Sequence, residues 1–460
     1  MRLKSTIQKY FNFGWKSNLK VVEDYQRKYQ KIDGLLRGNP QLALQAHRDW
    51  GRRLSISRSG RRSVYSCEEI LRALIVMFVE GDSYRDVVIR IENSEFLRSF
   101  VGLGTRPMMD YSFLCRAMNA LMPETMQAMN RTLTEYAEQE EKISGEKLRM
   151  DCTVYEANIH YPTDSSLLWD SYRTLARVLR VIQKEKPELG LRHRYHTKKV
   201  KKLAFYIARN GKSTKHSTKR QVQNHYRTII ERVQWIAEIG EQVQQCLNDW
   251  RLQLSGEDAV EELNRYLPTV RKIIDQAERR VLQGEKVANT EKVFSLFEPH
   301  TELIKRGKAG KQIEFGHKVL VAQSGEKFIT HYQVLERVRD DVELLKPALE
   351  SHREIFGDSP RVLAADKGFY QSTEQLKTLR KEIKTVSIAK LGRRTWHEEA
   401  RESSQAFKEG QQFRAGCEGS ISVLKRAYKM NRCFFKGFKN YACSVGCAVL
   451  CHNLVLLARL

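Results

Sequence analysis

The fold that the sequence predicts is α/β, with a mixed sheet, a large all-α insertion and a preceding helical domain. Strand-like segments rich in β-branched residues occur at 147–155, 313–324, 328–336, 361–366 and 384–390. Helical periodicity fills residues 164–300, between the first and second of these strands. Strands and helices then alternate to the end of the chain, which favours one sheet with helices on its faces.

The charge of the chain indicates a polyanionic partner. Its 460 residues include 80 Lys and Arg against 55 Asp and Glu, a net charge of +25. A folded chain this basic is typical of nucleic-acid-binding proteins, although a ribosome-associated or merely basic protein has the same composition.

Two further features of composition predict a cytoplasmic protein without a membrane partner. The sequence shows no signal peptide, and its most apolar stretch, 443–457, is too short to span a bilayer and is predicted to be a buried helix. The nine cysteines form no CxxC pair, so we expect reduced thiols. Cys443, Cys447 and Cys451 recur every four residues, which favours a packing stripe over a metal site.

The N-terminal part of the chain is predicted to have two sections. Residues 1–65 form a basic N-terminal segment, and residues 66–140 form a helical domain. Three helices with tight turns are predicted within 66–122, and Ser83 and Asp86 are a capping pair for the second of them. Such a module suits helix-turn-helix-like DNA binding or dimerisation, but a generic helical bundle fits the same periodicity.

The insertion, residues 164–311, contains a dense positive patch. Residues 191–230 include 12 Lys and Arg and no Asp or Glu. We expect this patch to contact the phosphate backbone of DNA, although a solvated basic face is the simpler alternative. The expected DNA-binding side chains are Lys198, Lys199, Lys201 and Lys202.

Three acids are predicted to meet at one edge of the sheet. Asp151 lies inside an apolar strand, Asp366 ends a later strand, and Glu418 lies on a helix predicted over 413–429. Three oxygen ligands without a Cys or His cluster favour Mg²⁺ or Mn²⁺, and two such ions suit phosphoryl transfer. Each acid alone is more often a salt-bridged carboxylate, and their joint placement in a basic protein favours the site.

The helix over 413–429 places cations beside its acid. Arg414 lies four residues before Glu418 and Lys425 lies seven residues after it, so the three side chains are expected on one helix face.

The segments around these acids resemble the DDE transposases of bacterial insertion sequences. The resemblance rests on "MDCTVYEANIHYPTDSSLL", "AADKGFY" and "RAGCEGSISVLKR", and on the N-terminal "SYRDVV", "SEFLRSFVGL" and "DYSFLCRAM". It implies an RNase H-like catalytic core at 145–163 and 312–460, with Asp151, Asp366 and Glu418 as catalytic triad. It also implies double-stranded DNA partners, namely transposon ends and target, and a homodimer in a nucleoid-associated DNA complex.

Related transposases have a Tyr-x2-Arg-x3-Glu-x6-Lys signature at the third acid. Arg414, Glu418 and Lys425 fit this spacing, and Gln411 occupies the tyrosine position. The resemblance implies that Glu418 binds metal while Arg414 and Lys425 contact DNA phosphates.

Other candidates favour structural roles. His160 and Asp164 follow the first strand, and substrate contact is the less favoured interpretation for both. Trp169 suits a core position better than stacking on a flipped base, and His317 is expected to be structural.

Two alternatives to a transposase stay open. An RNase H-like nuclease without strand transfer would use the same acids, and a domesticated DNA-binding protein would use none of them.

Overall fold

The computed structural model describes residues 19–54, 64–249, 257–305 and 312–460, so parts of the predicted basic segment at 1–65 and of the insertion lie outside the described residues. The described chain divides into two compact units. Unit 1 comprises the residues up to Glu156 together with His317–Leu460, and unit 2 comprises Ala157–Gly316.

Unit 1 begins with helices. Within the described ranges, the helices before the first strand are Lys20–Gly38 (α1), Gln41–Arg53 (α2), Cys67–Val79 (α3), Tyr84–Glu92 (α4), Glu95–Val101 (α5), Tyr111–Ala120 (α6) and Pro123–Gln139 (α7). Of these, α3 to α6 have side-chain N-caps, and Ser83 and Asp86 form the predicted capping box of α4. The single second helix predicted over 83–103 is wrong, because the structure has two helices there: α4 ends at Glu92, and α5 begins where the Ser94 side chain accepts a hydrogen bond from Leu97 N.

The described strands form a mixed sheet. They are Lys147–Ala157 (β1), Glu302–Lys305 (β2), Ile313–Gln323 (β3), Ile329–Val334 (β4), Val362–Ala364 (β5), Thr385–Ser387 (β6) and Arg432–Cys433 (β7). The order is β2-β3-β1-β5-β6, with β4 also on β3 and β7 also on β1. β1, β5 and β6 run parallel, whereas β4 runs antiparallel to β3. The five predicted strands are confirmed, but β5 and β6 are shorter than predicted, and β5 ends before Asp366. The short β2 and β7 were not predicted.

Helices cover both faces of the unit 1 part of the sheet. They are Val342–Phe356 (α12), Thr373–Glu382 (α13), Trp396–Ser403 (α14), Gln405–Ala427 (α15) and Phe438–Leu457 (α16). Alternate residues of β3 enter two different cores, because successive side chains point to opposite faces. Val319 and Val321 pack with α3, α7 and α16, and Leu320 and Ala322 pack with α12 and α13.

Helix α16 is the central apolar element of unit 1. It has 20 residues and is long and apolar enough to cross a membrane by length and composition, so the expectation that it is too short is wrong. Nevertheless, 89% of its apolar window is buried inside the protein. Burial to this extent is typical of a core helix, as the sequence predicts.

Unit 2 is mainly helical. Its helices within the described ranges are Asp164–Glu185 (α8), Thr197–Asn210 (α9), His216–Asp249 (α10) and Glu257–Ala277 (α11). They enclose a separate apolar core that includes Leu168, Leu175, Ile236 and Leu263. The unpredicted β2 pairs antiparallel with residues 313–316 of β3, which also belong to unit 2.

Candidate active site

Two aspartates lie side by side where the parallel pairing of two strands ends: Asp151 is within β1, and Asp366 is just beyond the carboxyl end of β5. Arg149 of β1 pairs with Ala364 of β5. Asp151 and Asp366 each follow that pair by two residues, so the register places them beside each other. Crevices at the carboxyl ends of parallel strands are common places for functional side chains.

A tight turn fixes the Asp366 carboxylate. Its Oδ1 accepts a hydrogen bond from Gly368 N at 2.7 Å, which caps the short 3-10 turn that follows β5. A Cβ on Gly368 would lie 2.9 Å from Asp366 Oδ1 and 2.8 Å from Asp341 Oδ2. The backbone can therefore approach both carboxylates only because residue 368 is glycine.

Helix α15 brings the third acid and an arginine to the same place. Arg414 Nη1 lies 3.8 Å from Asp151 Oδ2, and Arg414 Nη2 lies 3.2 Å from Glu418 Oε1. Asp151 is largely buried, whereas 62% of the Glu418 side chain is exposed. We refer to Asp151, Asp366 and Glu418 as the acidic edge.

The acidic edge carries more negative charge than Arg414 offsets. Burial and the neighbouring charge of Asp366 raise the pKa of Asp151 to about 6, with a smaller contribution from Glu418. The Cys152 N–H and Arg414 act in the opposite direction. A carboxyl group whose pKa is raised by burial and by other carboxylates is typical of a functional site that accepts a cation.

The donors of the acidic edge suit a hard divalent ion. All three are carboxylates, which Mg²⁺ and Mn²⁺ prefer over the soft ligands that zinc takes. Among the described residues, no three His, Cys, Asp or Glu side chains already lie close enough to hold a metal ion. The fit therefore rests on the donor chemistry and on the charge imbalance at Asp151.

Gln411, which occupies the tyrosine position of the signature described above, has a structural role. Its amide donates to Ser387 O at 2.6 Å and to Ala365 O at 3.5 Å, which ties α15 to the ends of β5 and β6. A Cβ on Gly410 would overlap Ser387 Oγ. The close approach of α15 to the sheet thus depends on both residues.

Sequence reasoning missed an acid–lysine pair beside the acidic edge. Asp341 Oδ1 accepts a hydrogen bond from Lys318 Nζ at 2.8 Å. Burial and then the charge of Asp341 raise the pKa of the neighbouring Cys152 thiol. No spacing in the sequence indicates this pair, because Lys318 and Asp341 belong to elements that meet only through the sheet.

The predicted DNA-binding cations lie in two places. Arg414 and Lys425 lie on α15, and Lys425 is half-buried about two turns after Glu418. The other four are exposed on α9 of unit 2, and we call them the lysine face: Lys198, Lys199, Lys201 and Lys202. Lys201 Nζ also lies 5.5 Å from the centroid of the Phe205 ring.

The remaining candidates make structural contacts. Asp164 is buried and accepts from Arg280 at 2.8 Å and from Gln276 at 3.1 Å. His160 Nε2 lies 3.4 Å from Asp170 Oδ2.

Two other predictions of structural roles are confirmed. His317 is fully buried against Tyr441, and its Nδ1 lies 2.9 Å from Leu335 O. Trp169 packs against the core of unit 2. The cysteine stripe of α16 is also buried, and its Cys447 lies beside two methionine sulfurs.

Comparison with known families identifies one domain. Residues 291–454 match the family model of the transposase DDE domain, which is less than half of the chain. The match includes Asp366 and Glu418 and begins after the strand that contains Asp151. No curated protein and no solved structure matches the chain.

Proposed function

We propose that this chain, whose residues 291–454 form a transposase DDE domain, binds the terminal inverted repeats of its own DNA element, cleaves their 3′ ends and joins them to target DNA. The observation that supports this proposal best is the acidic edge, where β1, the turn after β5 and α15 bring three interacting carboxylates together and one arginine contacts two of them. An RNase H-like core at 145–163 and 312–460 would contain these residues.

The acidic edge is the proposed place for divalent metal. Asp151, Asp366 and Glu418 would hold two Mg²⁺ or Mn²⁺ ions. When bound, such ions activate a water or hydroxyl nucleophile and stabilise the leaving oxygen. The carboxylates themselves orient the site, because Asp151 lies on β1 and Asp366 is fixed by the turn after β5. Glu418 lies on a helix that Gln411 holds against the sheet.

The cations of α15 are proposed to hold the end of the DNA. Arg414 is anchored by Asp151 and Glu418, so its guanidinium has a defined position beside the acids. Lys425 lies about two turns further along the same helix. Together they would bind the phosphate next to the cleaved bond, because guanidinium and ammonium groups pair well with phosphate.

Other parts of the chain are proposed to bind DNA over a wider surface. The lysine face, within the insertion at 164–311, would contact the backbone without reading sequence, and the helices at 66–140 would recognise the terminal repeat or support a homodimer. The protein would act on double-stranded DNA in a prokaryotic cytoplasm, associated with the nucleoid.

A joining assay tests the proposed function. The full-length protein is mixed with a pre-cleaved terminal-repeat DNA, taken from the DNA that flanks the reading frame, and with a target plasmid. We expect covalent end–plasmid products in Mg²⁺ or Mn²⁺ and none in EDTA.

The same assay separates the alternatives. Cleavage of an uncut end without joining would indicate a nuclease that does not transfer strands. Binding of the end with neither cleavage nor joining in Mn²⁺ would indicate a DNA-binding protein without catalysis.

A further inference from the structure

Arg149 is a buried cation directly beside the acidic edge. It lies on β1, two residues before Asp151, and only 4% of its surface is exposed. Side chains two apart on a strand point to the same face. Arg149 and Asp151 therefore share the face of β1 that meets α15.

The contacts of Arg149 join three elements. Its Nε donates to Gln323 Oε1 on β3 at 3.1 Å, and its Nη1 donates to Phe413 O on α15 at 3.0 Å. The guanidinium carbon also lies 4.9 Å from the centroid of the Phe413 ring. Phe413 immediately precedes Arg414, the residue that contacts both Asp151 and Glu418.

Helix α15 is shaped to receive this side chain. A Cβ on Gly416 would overlap Arg149 Nη1 and lie 2.9 Å from Arg149 Cζ. Glycine inside a helix is less favourable than alanine, so its presence here is explained by the close approach of the guanidinium.

Packing alone gives no reason for a cation at this position. Both hydrogen bonds of the guanidinium go to neutral oxygens, and within the described residues its buried Nη2 has no hydrogen-bond partner. A buried charge that lacks a carboxylate partner is costly, and an apolar side chain would fill the same space more cheaply. What the arginine provides is a directional link from β1 to the backbone of α15.

We propose that Arg149 is a positioning residue that fixes α15 against β1 and thereby holds Glu418 and Arg414 at Asp151. The inference rests on the proposed function, since the alignment it describes is that of the metal-binding carboxylates. Arg149 is not proposed to touch DNA or metal. It acts through the position of the helix.

A double-mutant cycle tests this inference in the full-length protein. The variants are Gly416→Ala, Arg149→Lys and the two combined. The matched control is Gly419→Ala, because Gly419 lies on the same helix and a Cβ there would meet nothing within 4 Å. Three quantities are measured for each: the Mn²⁺ concentration at half-saturation, from the free-Mn²⁺ signal in electron paramagnetic resonance, the rate of end cleavage in saturating Mn²⁺, and the melting temperature.

The variants should differ in a way that only a close, hydrogen-bonded contact between Arg149 and α15 would produce. Gly416→Ala should slow cleavage and weaken Mn²⁺ binding, each by about tenfold to a hundredfold, because displacements near 1 Å in an active site have effects of that size. Gly419→Ala should leave both within about twofold, since alanine only improves helix propensity there. Arg149→Lys should cause an intermediate loss. In the combined variant, Gly416→Ala should cost little more than Arg149→Lys alone, because lysine lacks the guanidinium nitrogens that the new Cβ would strike.

Several results would overturn the inference. Equal behaviour of Gly416→Ala and Gly419→Ala would do so, as would additive losses in the cycle. A lower melting temperature with unchanged Mn²⁺ binding and cleavage would make Arg149 a packing residue only. If the wild-type protein binds Mn²⁺ but neither cleaves nor joins DNA, the proposed function fails while the Mn²⁺ cycle still decides the inference. Absence of Mn²⁺ binding by the wild-type protein would overturn both.

Discussion

The acidic edge of unit 1 and the lysine face of unit 2 both consist of charged side chains, but the two surfaces are built differently. At the acidic edge, Asp151 is largely buried, and Arg414 is held by two acids. The lysine face is exposed along one helix, and the sequence around it contains no acid from residue 191 to residue 230. The acidic edge holds charged groups in place through contacts, whereas the lysine face leaves its charged groups in solvent.

This difference separates two kinds of function. Phosphoryl transfer needs charges in fixed positions, because catalysis depends on stabilising one transition-state geometry. Attachment to a DNA backbone needs only a density of positive charge, because released counterions supply most of the binding free energy. We therefore expect variants of the acidic edge to alter rates and variants of the lysine face to alter affinity.

The largest expected effect is at Asp151. Asp151→Asn should slow end cleavage by at least about a thousandfold, the loss expected when several kcal/mol of transition-state stabilisation are removed. Binding of the terminal repeat should stay within about threefold, because the variant leaves the phosphate-binding side chains in place. Cleavage rates and gel-shift affinities on the same DNA measure the two effects.

The stability of Asp151→Asn provides a second test. In EDTA its melting temperature should be at least that of the wild type, because the substitution removes a buried charge that burial and Asp366 already disfavour. An inactive protein that is no less stable would mark Asp151 as a functional residue. Cleavage at near wild-type rate would remove Asp151 from the site.

Substitutions on the lysine face should have a smaller effect, which lowers DNA affinity and leaves the cleavage rate nearly unchanged. Replacing Lys198, Lys199, Lys201 and Lys202 by Gln should weaken binding to specific and nonspecific DNA alike. The slope of log affinity against log salt should flatten by about 0.9 for each DNA phosphate that the variant no longer neutralises. Cleavage at saturating DNA should stay within about twofold of wild type, because the acidic edge is unchanged.

A control pair separates this effect from the loss of charge in general. Lys346 and Lys377 of unit 1 are also exposed, and each is paired with a glutamate on its own helix. Replacing both by Gln should change the salt slope less, per lysine, than the replacements on α9. Equal slopes per lysine would mean that the lysine face only adds net charge.

The sequence predicted the helices and strands and their charged residues better than it predicted which side chains meet in the fold. The strand with Asp151, the helix with Glu418 and the basic helix of unit 2 were all predictable, because each is encoded by a local pattern. The contacts of Arg149, Gly416 and Gln411 were not, because they join elements far apart in the chain. Gly410 and Gly416 were local signals, since a glycine inside a helical pattern can mark a close approach.

The smallest expected effect is at Lys425, which is part of neither the acidic edge nor the lysine face. It is a lysine like those on α9, yet it lies half-buried on the helix of the acidic edge. If position on α15 decides its role, Lys425→Ala should slow strand transfer by about threefold to tenfold, the effect of removing roughly 1 kcal/mol of interaction with a phosphate. Mn²⁺ binding and the melting temperature should not change.

The neighbouring Arg426 is the matched control for this prediction. Arg426 is an exposed cation on the same helix, directed away from the face that Arg414, Glu418 and Lys425 share by their spacing. Arg426→Ala removes the same charge, so electrostatic attraction at long range falls equally in both variants. A slower strand transfer in Lys425→Ala alone would show that the position on the helix matters, and assembly of paired DNA ends should fall with it. If the two variants behave alike, Lys425 acts as a general surface cation, and its agreement with the transposase spacing has no functional basis.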